Sequence, residues 1–313
     1  MAEPPYGVIW NRLKAGEVVP FLGAGASFVD RPAQCEWNHD RSTFLPSGAE
    51  LARFLAAESE YPSQDEVDRR DLAKVSSYYG DVAGRKALRA RLRDVFAHDF
   101  RPGPLHHLLA SIDRPLLIVV TNYDTLVEQA FNDAKKPYDL VIHPADRKDF
   151  ANAVLWWPHG ASEPKPVDPN ELDRCIKLAN TTVIYKMHGS IAPSGSEWDN
   201  FVITEEDYVD FLSRMTSNQA IPAMFYSHCR ERSFLFLGYS LRDWNLRVIL
   251  KNLNKAFARR ATLDDEERVP SWAIQWNPTE LECRLWEKRN VNIFGMDIER
   301  FVNKMRDVMR PAK

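Results

Sequence analysis

The stretch VVPFLGAGAS, residues 18–27, predicts a buried strand that ends in a glycine-rich turn. An apolar run is followed by two glycines separated by one alanine, and then by the small hydroxyl residue Ser27. Because Gly23 and Gly25 lack a Cβ atom, such a turn can bring the backbone close to a phosphate-bearing ligand. Phe28 stands where the third glycine of the pattern G-x-G-x-x-G would be. On its own, the stretch is equally typical of a tight turn after a core strand.

Three further apolar segments also end in polar or glycine-containing residues. They are LLIVVTNYD (116–124), TVIYKMHGS (182–190) and SFLFLGYSL (233–241). Two more, SWAIQW (271–276) and VNIFGM (291–296), end without such residues. The six segments alternate with helical patterns, which predicts an α/β fold with a Rossmann-like parallel sheet of about six strands flanked by helices. Ligands bind at the carboxyl ends of the strands in such sheets, so we expect the four polar ends to form one nucleotide site.

We expect one domain over residues 1–313, with a sheet core and a smaller helical module. The core would comprise about residues 17–30, 111–191 and 232–313, and the module about residues 47–110 and 195–231. Ser47 and Thr204 are predicted to cap helices of the module. Its arginines at 85, 89, 91 and 93 are interpreted as a solvated helix face rather than a phosphate site. Residues 132–182 are interpreted as largely irregular, with short strand-like pieces.

Composition and charge exclude several classes of protein. The chain has 313 residues, of which 44% are hydrophobic and 27% charged, and its net charge is -3. With 41 basic and 44 acidic residues, direct nucleic-acid binding is not predicted. No apolar run has the length of a membrane span, and MAEPPYGVIW is not a signal peptide, so we expect no membrane association and a cytoplasmic protein.

The cysteines at 35, 175, 229 and 283 are widely spaced. None belongs to a C-x-x-C pair, so neither a zinc ribbon nor any other metal site is expected. We interpret the four thiols as small buried hydrophobic side chains.

The four polar strand ends, in this order, resemble the sirtuin superfamily. Gly23–Ser27 is similar to its NAD-cradling turn, and Thr121–Asp124 to its Gln-Asn-x-Asp segment, with Thr121 in place of the glutamine. His188 matches its catalytic histidine, and Gly238–Ser240 takes the place of its Gly-Thr-Ser segment.

A closer resemblance is to the sirtuin-like NAD-degrading proteins of bacterial anti-phage defence. Their TNYD-x-x-x-E, K-x-HGS, T-x-x-DY and LGYS-x-x-D segments are similar to residues 121–128, 186–190, 204–208 and 237–243. The resemblance spans roughly residues 17–276. The zinc-binding cysteine pairs and the arginine-bearing loop of deacylase sirtuins are not recognisable here, which puts deacylase activity in doubt.

The resemblance implies an NAD+ hydrolase that depletes NAD+ during abortive infection, with Asn122 and His188 as catalytic residues. An amide can both donate to and accept from a ribose hydroxyl or a water molecule. A histidine titrates near neutral pH and can act as a general base. Backbone N–H groups of the glycine turn would bind the pyrophosphate, and Ser240 and Asp243 are candidates for the adenosine half. The residues expected to contact NAD are Gly23, Ala24, Gly25, Ala26, Ser27, Thr121, Asp124, Gly238, Ser240 and Asp243.

Two other functions are compatible with these residues. One is an NAD-dependent protein deacylase or ADP-ribosyltransferase, and the other is a non-catalytic sensor of NAD or ADP-ribose. Each residue taken singly is also typical of a structural role, because Asn-x-Asp is common at turns. No separate sensor domain is recognised at either end, so we expect regulation by homo-oligomer assembly or by a separately encoded partner, such as an AAA+ helicase-like ATPase.

Overall fold

Strands and helices alternate along most of the chain. The structure, a computed structural model, describes residues 3–239, apart from 29–30, 33, 146–149, 151 and 217–220, and residues 270–309. The strands are β1 (Val18–Leu22), β2 (Leu117–Val120), β3 (Asp139–Ile142), β4 (Val154–Trp157), β5 (Lys165–Val167), β6 (Val183–Lys186), β7 (Gly189–Ser190), β8 (Asn200–Phe201), β9 (Ser233–Leu237), β10 (Ser271–Gln275) and β11 (Val291–Gly295). The helices are α1 (Tyr6–Lys14), α2 (Gly48–Glu58), α3 (Glu66–Arg69), α4 (Leu72–Ala83), α5 (Arg85–Phe96), α6 (Pro104–Ala110), α7 (Leu126–Asp133), α8 (Glu205–Thr216), α9 (Ala223–Cys229), α10 (Glu280–Glu287) and α11 (Ile298–Met309).

Nine of these strands form one sheet in the order β11-β10-β9-β1-β2-β6-β3-β4-β5. Neighbours pair in parallel from β11 to β3, whereas β4 and β5 pair antiparallel at one edge. The predicted α/β class and mostly parallel sheet are therefore confirmed. The predicted number of about six strands was too low, because β3, β4 and β5 of this nine-stranded sheet come from the segment interpreted as irregular. β3 and β4 coincide with the short strand-like pieces of that segment, which were not counted as sheet strands because proline- and aspartate-containing loops separate them.

The four strands with polar ends lie side by side in the middle of the sheet, in the order β9-β1-β2-β6. Every residue of these four strands is buried, as expected for strands covered on both faces. They run in parallel with matched register, with Leu22 opposite both Val120 and Leu237, and Val120 opposite Lys186. The residues that follow the four strands therefore come together at one edge of the sheet.

Helices cover both faces of the sheet, and alternate residues of each strand point into different cores. Leu22 of β1 belongs to the core formed with α1, α6, α7 and α11. Phe21 belongs to the opposite core, which includes Phe211 of α8, Phe225 of α9 and Trp286 of α10. None of the helices among the described residues is both long and apolar enough to cross a membrane.

The helical segment α2–α5 forms a third core beside the strand ends. Leu51, Leu55 and Leu88 are buried in it together with Tyr123, which follows β2. The predicted caps are present, since Ser47 and Glu50 form a capping box at α2, and Asp207 N–H donates to Thr204 Oγ1 at α8.

The arginines of α5 form ion pairs with other elements. Arg85 pairs with Asp207 at 2.8 Å, Arg91 with Glu58 at 2.7 Å, and Arg93 with Asp199 at 2.6 Å. These contacts join α5 to α8, to α2 and to the segment before β8.

The cysteines differ from the prediction. All four are free thiols, but Cys35 and Cys175 are exposed, Cys283 is partly exposed, and only Cys229 is buried. Cys35 and Cys175 lie in irregular polar segments, where burial does not follow from residue type. Burial raises the pKa of the Cys229 thiol to about 12, so that side chain is an inert part of the core.

Candidate active site

A cavity of about 350 Å³ lies at the carboxyl ends of the four central strands. This volume is within the range of small-molecule sites in proteins. Its walls come from the turns after β1, β2, β6 and β9, from the loop before α2, and from helices α2, α4, α5 and α8. The lining residues are Ala24, Ser27, Leu45, Pro46, Ser47, Gly48, Leu51, Leu72, Phe96, Thr121, Asn122, Tyr123, Asp124, His188, Tyr208, Gly238 and Tyr239.

Asn122 and His188 both line this cavity. Each is the second residue after its strand, and the last residues of those strands, Val120 and Lys186, are paired in register. Parallel pairing therefore brings the carboxamide and the imidazole to the same cavity.

The orientation of the Asn122 amide is set by two hydrogen bonds. Its Nδ2 atom donates to the carbonyl oxygen of Gly23 at 2.9 Å and to Ser27 Oγ at 2.7 Å. The nitrogen must face Gly23, because a carbonyl oxygen can only accept hydrogen bonds. Both amide hydrogens are engaged in this way, which leaves the Oδ1 atom as the group that Asn122 can offer to a ligand.

Ser27 links Asn122 to Asp124. Its hydroxyl accepts from Asn122 and donates to Asp124 Oδ2 at 2.7 Å. The other oxygen of Asp124 accepts from the backbone N–H of Leu126 at 3.1 Å, at the start of α7. Asp124 is thereby held at the cavity wall by two donors, and the three polar side chains form one connected chain.

His188 is a buried residue of the cavity lining. Its ring packs edge-on against Tyr208 and Phe211, with centroids 5.7 and 5.2 Å away. The Nε2 atom is buried and has no hydrogen-bond partner among the described residues. Burial lowers the pKa of His188 from 6.5 to about 4, so its imidazole is neutral at physiological pH. A neutral imidazole with a vacant nitrogen can accept a proton from a bound group.

Glycines allow the turn after β1 and the turn after β9 to pack directly against each other. The Gly25 N–H donates to the carbonyl oxygen of Gly238 at 3.0 Å. Gly238 has φ +74°, and a Cβ atom there would collide with the backbone nitrogen of Ala26. A Cβ atom on Gly23 would lie 2.8 Å from the Gly238 oxygen. The close contact between these two turns therefore requires glycine at these positions, whether or not a ligand also approaches the backbone there.

Backbone N–H groups of the glycine turn already have partners inside the protein. Those of Gly23, Gly25 and Ala26 donate to the carbonyl oxygens of Leu237, Gly238 and Gly23. Among residues 23–27, it is Ala24 and Ser27 that line the cavity.

A buried ion pair supports the turn after β2. Lys186 is fully buried, its Nζ lies 3.4 Å from Glu128 Oε1, and it also donates to the backbone oxygen of Asp124. Burial raises the pKa of the Glu128 carboxyl, and Lys186 opposes that shift. The pair thus ties the start of α7 and the turn with Asn122 to the end of β6.

The structure brings together most of the residues selected from the sequence. Ala24, Ser27, Thr121, Asn122, Asp124, His188 and Gly238 line the cavity, and Gly23, Gly25 and Ala26 pack directly behind it. Ser240 and Asp243 lie outside the described residues.

Sequence reasoning missed two groups of cavity residues. One contains three tyrosines, Tyr123, Tyr208 and Tyr239, which lie in the motif segments but were given no role. The Tyr239 hydroxyl lies 2.8 Å from Thr121 Oγ1. The second group comes from helices α2, α4 and α5 and from the loop before α2: Leu45, Pro46, Ser47, Gly48, Leu51, Leu72 and Phe96. Their only signal in the sequence was the long polar loop before α2, which is typical of a binding loop.

Comparison with known proteins finds a SIR2-like family model and relatives named as NAD(+) hydrolases or as a sirtuin. The family model described as a SIR2-like domain matches residues 116–294. The NAD(+) hydrolase ThsA of Enterococcus faecium is 28% identical over 244 residues, which are 77% of this chain and 41% of that protein. The NAD(+) hydrolase ThsA of Acinetobacter baumannii is 29% identical over 66% of this chain and 36% of its own length. Defense-associated sirtuin 2 of Bacillus subtilis is 21% identical over 62% of this chain and 16% of its own length.

The matched part is less than half the length of each of these curated relatives. The segment matched by the family model, residues 116–294, contains β2, β6 and β9, the strands whose ends carry Asn122, His188 and Gly238. Because the family model covers more than half of the chain and includes both Asn122 and His188 of the cavity, this protein belongs to the SIR2-like family.

Proposed function

We propose that this protein hydrolyses NAD+ at the bond between nicotinamide and ribose, producing nicotinamide and ADP-ribose. The observation that carries the proposal is that Asn122 and His188 line one cavity together with the glycine turn. The relatives named NAD(+) hydrolase support the same reaction, although each is much longer than the matched segment.

The reaction needs few groups from the protein. The C–N bond breaks with its electrons going to nicotinamide, which leaves as a neutral base from a cation. Positive charge develops on the ribose, and a water oxygen forms the new bond to the same carbon while releasing one proton. The protein must therefore hold the sugar, stabilise the cation and accept or direct that proton.

Asn122 and Asp124 are suited to the first two tasks. With both amide hydrogens bound by Gly23 and Ser27, the Asn122 oxygen can accept a hydrogen bond from a ribose hydroxyl or from the attacking water. The Asp124 carboxylate at the same wall can stabilise the cationic ribose electrostatically.

His188 is suited to the proton transfer. Its buried Nε2 atom has no hydrogen-bond partner among the described residues, and a ribose hydroxyl or a water could supply one. The lowered pKa keeps it neutral and able to act as a base at physiological pH, although a weaker base than an exposed histidine.

We further propose that the reaction depletes cytoplasmic NAD+ in anti-phage defence, leading to abortive infection. The name of the Bacillus subtilis relative, defense-associated sirtuin 2, supports a defence role. Activity that consumes an essential cofactor has to be restrained in a healthy cell. We therefore expect activation by homo-oligomer assembly or by a separately encoded partner, such as an AAA+ ATPase.

Chromatography of NAD+ incubated with the purified protein tests the reaction. We expect nicotinamide and ADP-ribose in equal amounts, and at least a hundredfold slower release with Asn122→Ala and with His188→Ala. The matched controls are Asn11→Ala and His107→Ala, both on exposed helix positions away from the cavity. They should retain full activity.

Because the isolated protein can be inactive until it assembles or meets its partner, the assay is repeated at high protein concentration and with the products of neighbouring genes. Full activity in both cavity variants would refute the assignment of the site. NAD+ consumption that depended on an acylated peptide would favour the deacylase alternative, and tight NAD+ binding without turnover under every condition would favour the sensor.

A further inference from the structure

We propose that His39, Asp94 and His98 form a Zn²⁺ site that joins the loop before α2 to the end of α5. One nitrogen of each histidine and one oxygen of the aspartate lie within 4.8 Å of one another. Two imidazoles and one carboxylate are a ligand set that Zn²⁺ accepts, with water as the fourth ligand.

The position of His39 Nε2 fits a metal ligand better than a hydrogen-bonding group. The atom lies 3.0 Å from Asp94 Oδ2, yet it is buried and makes no hydrogen bond to any described residue. A nitrogen and an oxygen at this distance, with no hydrogen bond between them, are spaced as two ligands of one ion would be. Ligands about 2 Å from a tetrahedral zinc lie roughly 3.3 Å apart.

The other ring nitrogen of His39 is oriented by a second carboxylate. Nδ1 lies 3.1 Å from Asp40 Oδ1, which can accept its proton. A proton on Nδ1 leaves the Nε2 lone pair directed at the centre of the cluster. Carboxylates orient metal-binding histidines in this way in many zinc proteins.

Packing holds the His39 ring in this position. It stacks on Phe54 of α2 with centroids 5.0 Å apart and planes inclined by 5°. Trp37 packs on it edge-on at 6.0 Å, and the His98 ring lies 6.0 Å away. A preformed arrangement lowers the entropic cost of binding an ion.

The local charge also favours a cation. Arg91 donates to the same Asp94 oxygen at 2.8 Å, but it pairs with Glu58 at 2.7 Å as well. The three carboxylates in these contacts, those of Asp40, Glu58 and Asp94, therefore outnumber the single guanidinium of Arg91. Ion pairing of His39 with Asp40 and Asp94 would give the same distances without a metal, and the Zn²⁺ titration distinguishes the two arrangements.

A metal here would connect two walls of the NAD cavity. Leu45 and Pro46 end the loop that carries His39, and Phe96 ends α5, next to Asp94 and His98; all three residues line the cavity. The sequence indicated no metal because His39 is remote from the other two ligands along the chain, and the cluster exists only after folding.

Titration of metal-free protein with Zn²⁺ tests the site, in a competition assay with a chromophoric chelator. We expect one Zn²⁺ per chain in the wild type. His98→Ala and Asp94→Asn should each weaken its binding at least tenfold, and His107→Ala, an exposed histidine outside the cluster, should not. Circular dichroism of each variant verifies folding.

Hydrogen exchange gives a second readout. Zn²⁺ should slow exchange in residues 34–46 of the wild type and not in His98→Ala. The proposal is overturned if no stoichiometric Zn²⁺ binds, or if both cluster variants bind it as tightly as His107→Ala. These measurements contain no NAD+, so their failure would leave the proposed hydrolase activity untouched.

Discussion

Lys186 Nζ lies 3.4 Å from Glu128 Oε1, and this fully buried ion pair adjoins the turn that carries Asn122. Lys186 also donates to the backbone oxygen of Asp124, so one ammonium group links the end of β6, the turn after β2 and helix α7. Neither side chain lines the cavity. The pair is thus a support for the site rather than a part of its surface.

Replacing Lys186 by Met should lower the free energy of unfolding by about 3–5 kcal/mol, because it leaves Glu128 buried without its partner. Urea denaturation measures the loss. Lys86→Met, on the exposed face of α5, is the matched control and should have almost no effect. The double variant Lys186→Met with Glu128→Leu should recover part of the stability. A single variant as stable as the control would show that the pair does not support the fold.

Replacing Ser27 by Ala should reduce NAD+ turnover more than it reduces stability. The change removes the hydrogen bond to Asp124 and one of the two acceptors that orient the Asn122 amide. If the loss of these hydrogen bonds raises the activation free energy by about 1–2 kcal/mol, kcat falls roughly five- to thirtyfold. Steady-state kinetics and thermal unfolding should be compared on the same preparation. An unchanged kcat would mean that the Ser27 hydroxyl does not position the catalytic amide.

Replacing Gly238 by Ala should destabilise the protein by about 2 kcal/mol or more. The residue has φ +74°, and the added Cβ atom would collide with the backbone of Ala26 in the neighbouring turn. Gly7→Ala is the opposite control, since its position in α1 has no atom within 4 Å of an added Cβ. That variant should be as stable as the wild type or more stable by up to about 1 kcal/mol. Equal melting temperatures for both variants would contradict the close contact of the two turns.

Acid should destabilise the fold between about pH 6.5 and pH 4. Burial lowers the pKa of both His106 and His188 from 6.5 to about 4, so the unfolded chain binds more protons than the folded one in this window. Stability is then fully present above pH 6.5 and falls as the pH drops towards 4, by up to about 1.4 kcal/mol per pH unit for each histidine. The raised pKa of Glu128 has the opposite sign and offsets part of the effect.

Thermal unfolding from pH 7 to pH 4.5 measures this slope. Desolvation raises the pKa of Glu50, but hydrogen bonds from Arg31 and Ser47 outweigh it and lower the pKa to about 2. The stability that Glu50 contributes is therefore lost only from its unfolded value of 4.5 downwards, at the acid end of this range. His106→Asn should reduce the slope, and its amide oxygen can replace Nδ1 as the acceptor for the Gly103 N–H. A melting temperature independent of pH in this range would contradict the neutral state of the buried histidines.

The pH dependence of NAD+ turnover should lack an acid limb near pH 6.5. If His188 acts as the base with its pKa lowered to about 4, kcat should stay constant on acidification until the protein approaches that value or unfolds. Rates measured from pH 5 to pH 8 test this expectation, with the folded fraction measured in parallel. A tenfold fall in kcat between pH 7 and pH 5.5 in folded protein would mean that another group, or an exposed His188, controls the reaction.

The sequence predicted the elements that form the site, and the reasons are local. A continuous apolar run predicts a strand buried on both faces, and the glycine or polar residues that follow mark its end, as at Leu22 and Val120. The caps at Ser47 and Thr204 could be recognised because a capping box involves residues only three positions apart. Strands β3 and β4 coincide with short strand-like pieces of the segment interpreted as irregular, whereas β5 has three residues with Pro166 in the middle and gives no strand signal.

The sequence alone therefore determined the α/β class, the strands with polar ends and the family resemblance, since these depend on neighbouring residues. Only the tertiary structure decided that β9, β1, β2 and β6 are adjacent, which brings Asn122 and His188 to one cavity. It also decided that the glycines at 23, 25 and 238 serve a contact between two turns, and that His39 meets Asp94. These relationships join residues distant in the chain, and they depend on the order of the strands and the packing of helices, which no local pattern specifies.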